Sequence, residues 1–134
     1  MSENIAMNDE SVEIPWAKIA QANPNLSDRL FREGVSLVYD EDGDTLIIII
    51  GEGGVSLTKQ AINDVYIRIE PETLKIAGCV ILGFVSDFYA KNKIVRKLLP
   101  PDTPNSLREQ GTVRLLGHDA EQVKPTFETA MATR

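Results

Sequence analysis

Asp40, Asp42 and Asp44 stand at alternate positions in YDEDGDTLIIIIGEGG, directly before four consecutive isoleucines. Carboxylates in that spacing form the first half of a calcium loop, which also needs a glycine at its sixth position and a glutamate at its twelfth. Counted from Asp40, those positions hold Thr45 and Gly51, so the sharp turn and the bidentate ligand are both missing. The residues that would wrap the ion are isoleucines. A hairpin turn needs fewer assumptions. Asp42-Gly43 between two apolar runs is a strong hairpin signal, with Gly43 expected in the left-handed conformation. Asp40 is expected to accept hydrogen bonds from turn amides, with Asp44 opposite it as a like-charge pair. What remains for chemistry is a weak cation or small-ligand site at the Asp40–Asp44 turn.

The other reactive side chains point to structure. His118 is the single histidine, and no serine or cysteine motif accompanies it; a solvated loop position is expected. Cys79 sits in the most apolar stretch, KIAGCVILGF, where a free thiol behaves as a small hydrophobe. GEGGVSLTK has glycines and a lysine without phosphate-loop spacing, and reads as a flexible hairpin connection. Lys91, Lys93, Arg96 and Lys97 form a basic cluster at the end of an expected helix, where the helix dipole favours cations without any partner. A weak nucleic-acid contact through Lys91–Lys97 is the residual alternative, with no interleaved aromatics to support it. No catalytic, cofactor-binding or metal-ligating residue is assigned, and no cofactor is expected.

Composition narrows the classes further. The chain has 134 residues, 43% of them hydrophobic, with formal charge −6 and a pI near 4.8. That length fits one domain with a real core. Its acidity repels phosphate backbones and suits solubility or a basic partner. One cysteine excludes an internal disulfide framework. The start, MSENIAMNDESVEIPW, lacks the basic and apolar regions of a signal peptide, and no apolar run is long enough to span a bilayer. A cytoplasmic protein in a bacterium-like reducing compartment is expected, with no membrane association.

The elements that must position these residues follow from periodicity. Residues 1–13 read as a disordered leader, 14–99 as a single α+β domain, and 100–134 as a loose C-terminal segment. PWAKIAQA predicts a short helix with Trp16, Ile19 and Ala20 on one side. NPNLSDRLFREG predicts another, with Asn23 as N-cap, Leu26 and Leu30 four apart, and Gly34 as the stop. VSLVYD alternates as a strand with Val35, Leu37 and Tyr39 on one face. DTLIIII predicts a central strand covered on both sides. VSLTKQAI is ambiguous between loop and strand. NDVYIRIE puts Val65, Ile67 and Ile69 inward, PETL turns with Pro71 at its second position, and KIAGCVILGF supplies a further strand. SDFYAKNKIVRKLLPP is helical, with Ser86 as cap and Phe88, Val95 and Leu98 or Leu99 as its apolar stripe. TVRLLG is a candidate edge strand.

Tyr39-Asp40, then Asp44-x-Leu46-x-Ile48, and later Ile76-x-Gly78-x-x-Ile81-Leu82 resemble a small bacterial domain-of-unknown-function family with the pattern Tyr-Asp-x-x-x-Asp-x-Leu-x-Ile … Ile-x-Gly-x-x-Ile-Leu. The likeness covers residues 34–87. Ile47 stands where the family usually has an aromatic. The resemblance implies a compact two-hairpin sheet with a helix and transfers no catalytic residue; its members look like partners of small toxin-like proteins.

The expected fold is therefore α+β: an antiparallel meander of about four strands, with a C-terminal helix packed on one face and short N-terminal helices. Should those N-terminal helices leave the other face open, a twofold homodimer would bury it. The expected function is a non-enzymatic protein-interaction or regulatory module, antitoxin-like, with a basic protein partner. The rival is an enzyme or small-ligand binder with a site near Asp40–Asp44 or the GEGG loop.

Overall fold

Pro15, with φ −66°, starts the first helix, α1 (Trp16–Ala22). The computed structural model describes residues 14–62, 64–84, 107 and 109–132; the expected leader, the expected helix from Ser86 and its Lys91–Lys97 cluster lie outside them. In α1 Ile19 is fully buried and Trp16 half-buried against the core, whereas Ala20 is exposed. The second helix, α2 (Leu26–Glu33), begins after Asn25 rather than Asn23. Asn23 ends α1 instead and turns its amide toward the sheet. Its Nδ2 donates to the carbonyls of Ile19 at 2.7 Å and Leu74 at 3.0 Å, and its Oδ1 accepts from the Ile76 N–H at 2.8 Å. Leu26 and Leu30 are buried at the expected spacing. Gly34 closes α2 with φ +79°, its N–H donating to the Leu30 carbonyl at 2.9 Å, a conformation that other residues adopt with strain.

Six strands follow: β1 (Val35–Asp40), β2 (Thr45–Ile50), β3 (Leu57–Ile62), β4 (Val65–Ile69), β5 (Ile76–Leu82) and β6 (Thr112–Leu115). All pairings are antiparallel and the order is β3-β4-β5-β2-β1-β6. The class is α+β with an antiparallel sheet, as expected, but the sheet has six strands rather than four. It is also not a plain meander. β3, β4 and β5 are joined by hairpins, yet β2 pairs with β1 and β5. The six residues 51–56 therefore carry the chain from the middle of the sheet to its edge, a Greek-key-like crossover rather than the hairpin expected of GEGG. The ambiguous VSLTKQAI contains the edge strand β3, and TVRLLG supplies the opposite edge, β6.

Register sets Leu37, Ile48, Cys79 and Ile67 side by side across four strands, each no more than 2% exposed. Val35, Leu46, Ile50, Ile81, Val65 and Ile69 extend this inner face. Burying a large aliphatic side chain stabilises by about 1.5–3 kcal/mol, so these rows dominate the core. Gly78 fits the tight approach of β2 and β5, because a Cβ there would run into the Ile48 carbonyl oxygen.

The described helices pack on that same inner face. Residues 117–132 form α3 (Gly117–Glu121) and α4 (Lys124–Ala132), not the loose tail expected of 100–134. Ala120, Val123 and Phe127 join Ile19, Leu26 and Leu30 in one cluster with the inner strand residues. α2 lies against α3, and α4 lies against β3, β4 and α2. These elements are short, and their apolar residues are too widely spaced for a visible stripe. Lys59, an inward position on the edge strand β3, is 7% exposed and holds its Nζ 4.9 Å from the Trp16 ring centroid, tying α1 to the sheet edge.

Phe127 has no exposed surface. Phe127→Ala is expected to lower the unfolding free energy by about 3–5 kcal/mol in urea titration. An unchanged midpoint would mean that the C-terminal helices are appended to the core and not part of it.

Candidate functional site

The β1–β2 turn separates its aspartates. Asp40 and Asp42 are exposed, while Asp44 is half-buried and takes the left-handed conformation, φ +49°, that the sequence assigned to Gly43. Asp is tolerated there because its short polar side chain bonds locally. The Tyr39 hydroxyl donates to Asp44 Oδ1 at 2.5 Å, the Phe84 N–H donates to the Asp44 carbonyl at 2.9 Å, and the Asp44 N–H closes the turn onto the Glu41 carbonyl at 3.3 Å. Tyr39 in turn meets Phe84 edge to face at 6.2 Å. Asp44 thus anchors the exit of β5, and among the described residues no group of three His, Cys, Asp or Glu is placed to hold a metal ion.

His118 lies on α3, 87% exposed, with its ring edge-on to Phe31 at 5.1 Å. Its Nδ1 is 2.9 Å from Glu121 Oε1, and the Ser27 hydroxyl donates to Glu121 Oε2 at 2.8 Å. The hydrogen bonds from Ser27 and then His118 hold the Glu121 carboxyl below its ordinary pKa. Here the carboxylate stands between serine and histidine, so the serine proton is directed to the carboxylate and not to the imidazole. A nucleophile needs the base on its own hydroxyl. The cluster joins α2 to α3 instead. Ser27 and Glu121 are 94 residues apart, and nothing in their local sequence signals the pairing.

The crossover after β2 builds a polar groove. A cavity of about 420 Å³ is lined by Arg29, Glu33, Gly51, Glu52, Glu70 and Arg114, among others. A second, of about 450 Å³, adjoins it through Gly53 and Glu70 and adds Glu72 and Thr73. Both arginines are committed to the scaffold. Arg29 Nη1 donates to the Ile76 carbonyl at 3.0 Å, and its Nε lies 3.4 Å from Glu33. Arg114 donates to the carbonyls of Glu33 at 2.7 Å and Gly51 at 3.2 Å and to the Ser36 hydroxyl at 2.9 Å. Gly51, with φ +65°, leaves room for Glu33, whose Oε1 a Cβ would approach to 2.7 Å. The Glu70 carboxylate accepts from the Thr73 hydroxyl at 2.8 Å. Glu52 and Glu72 remain exposed. The groove therefore offers four carboxylates from three segments against two arginines whose donors are taken by carbonyls. Sequence reasoning identified the glycines of GEGG but not this convergence, because the carboxylates meet only once β2 and β3 are separated in the sheet.

Cys79, on the inner face of β5, has no solvent exposure, and burial pushes its thiol up to about 12. No helix among the described residues is long and apolar enough to cross a membrane. No known family model matches the chain, and neither the curated proteins nor the solved structures searched contain a match.

The thiol is expected to react with a maleimide or disulfide reagent only on unfolding. Its folded pKa lies above the ordinary value of 9.0, so its contribution to stability is complete below pH 9 and is lost as pH rises toward 12. Urea titrations of the wild type and Cys79→Ala across that range should show the wild type losing stability more steeply. Rapid labelling of the native protein near neutral pH would contradict the buried placement.

Proposed function

We propose that the chain is a non-enzymatic protein-interaction module, antitoxin-like or regulatory, that receives a basic segment of a partner protein. The observation that carries this reading is the groove beneath the 51–56 crossover. Its carboxylates, Glu33, Glu52, Glu70 and Glu72, outnumber Arg29 and Arg114, whose donors are taken by backbone carbonyls, so it offers a ligand acceptors and a negative sign. A chain of charge −6 attracts a cationic partner from a distance, and the groove gives that attraction a place to act. The engaged Ser27–Glu121–His118 cluster and the buried Cys79 support a binding role over catalysis. The rival small-ligand reading uses the same groove, with a cationic metabolite in place of a peptide.

A short lysine- and arginine-rich peptide is expected to bind at low ionic strength, with affinity falling as salt rises, in calorimetric titration. Glu52→Gln and Glu72→Gln should each weaken it about two- to fivefold, the range for exposed ion pairs. Glu41→Gln and Asp42→Asn, at the opposite end of the sheet, should leave it unchanged. Equal losses from both pairs of variants would reduce the binding to a general effect of net charge and defeat the groove assignment.

A further inference from the structure

The two faces of the sheet differ in kind. On the outer face the register aligns Thr112, Val38, Ile47, Val80, Tyr66 and Gln60 across all six strands. The four central members are half-buried and largely apolar, and the two at the sheet edges are polar, exposed residues. That is the order of an interface core and its rim. Ile49 and Gly78 adjoin the row on β2 and β5, and Leu82 beside it is 38% exposed. The buried side chains of the described helices all join the inner cluster, α1 and α2 included, so the N-terminal helices do not pack on this face.

Charge distribution favours a second copy there. Of 20 acidic residues, only Asp40 occupies an outward strand position among the described residues, and the same face carries Arg68 and Arg114. A chain of charge −6 thus keeps its self-repulsion off this surface. Six strands about 4.8 Å apart, each with about five residues of ~3.3 Å rise, project roughly 500 Å², the same order as the ~800 Å² per partner of a standard interface. Association through the sheet edges is disfavoured, since β3 buries Lys59 and β6 has four residues. Face-to-face packing of two twisted sheets, about 10 Å apart, remains.

We infer that the chain forms a twofold homodimer through the outer faces of its sheets, with Val38, Ile47, Val80 and Tyr66 at the centre. The groove lies at the end of the strands, where it shares Arg114 with the margin of this face but none of the central row. Sedimentation equilibrium of the full chain at tens of micromolar concentration tests it. The wild type is expected at twice the chain mass. Ile47→Lys should sediment at half that mass with an unchanged circular dichroism spectrum, and should still bind the basic peptide. If Ile47→Lys fails to fold, Tyr66→Lys, nearer the margin, makes the same test. A monomeric wild type would overturn the inference, leaving the face to this chain's own remaining residues or to a different protein. A dimer that persists in a folded Ile47→Lys or Tyr66→Lys protein would overturn it equally.

Discussion

Burial of one face of β2 is the constraint on which the rest of the fold depends. Leu46, Ile48 and Ile50 must leave water together, and the period of two along a strand fixes which residues of β1 and β5 accompany them. Once Leu37, Cys79 and Ile67 are aligned with Ile48, the inner face is a continuous apolar surface that a second layer must cover, here helices. The chain supplies those helices from both ends. Ile19, Leu26 and Leu30 come from before the sheet, and Ala120, Val123 and Phe127 from after it. Asn23 then locks the arrangement, because its one amide satisfies the end of α1, the β4–β5 turn and the first N–H of β5.

The same economy of polar groups shapes what the molecule can do. Asp44, Ser27, Glu121, Arg29 and Arg114 are all held by hydrogen bonds that join one element to another. Groups fixed in this way maintain the fold and are poor candidates for proton transfer. The proposed recognition therefore uses surfaces less engaged: the exposed Glu52 and Glu72 around the crossover, and the apolar row on the outer face. The two differ in physical character. The proposed groove contact is electrostatic and would weaken in salt. The proposed outer-face contact excludes water and would not be weakened by salt.

Much of the sheet was legible because β1 and β4 alternate and β2 and β5 are continuous apolar runs. Val35 and Leu37, or Val65, Ile67 and Ile69, disclose their inward face without any structure. β3 was not legible, because its inward position at Lys59 is a charged residue covered by Trp16, which breaks the pattern that defines a strand. The order of the strands was hidden for a different reason. A six-residue glycine-rich link suits a hairpin as well as a crossover, and only the pairing of β5 with β2 decides between them. At the aspartate turn the left-handed residue is Asp44 and not the expected Gly43, since Asp44 accepts that conformation in exchange for bonds to Tyr39 and Phe84. Of the groove, only the GEGG loop was legible. Its carboxylates belong to α2, the crossover and the β4–β5 turn, and no local signal marks their meeting.

The central claim is that the sheet has a structural inner face and an associating outer one. Methyl-resolved NMR on a mixture of isotope-labelled and unlabelled protein tests it most directly, because it reads only contacts between chains. Intermolecular signals from the methyls of Val38, Ile47 and Val80, and none from Leu37, Ile48 or Ile67, are the predicted result. Their absence from the outer row, or their presence on the inner one, would contradict the division of the two faces.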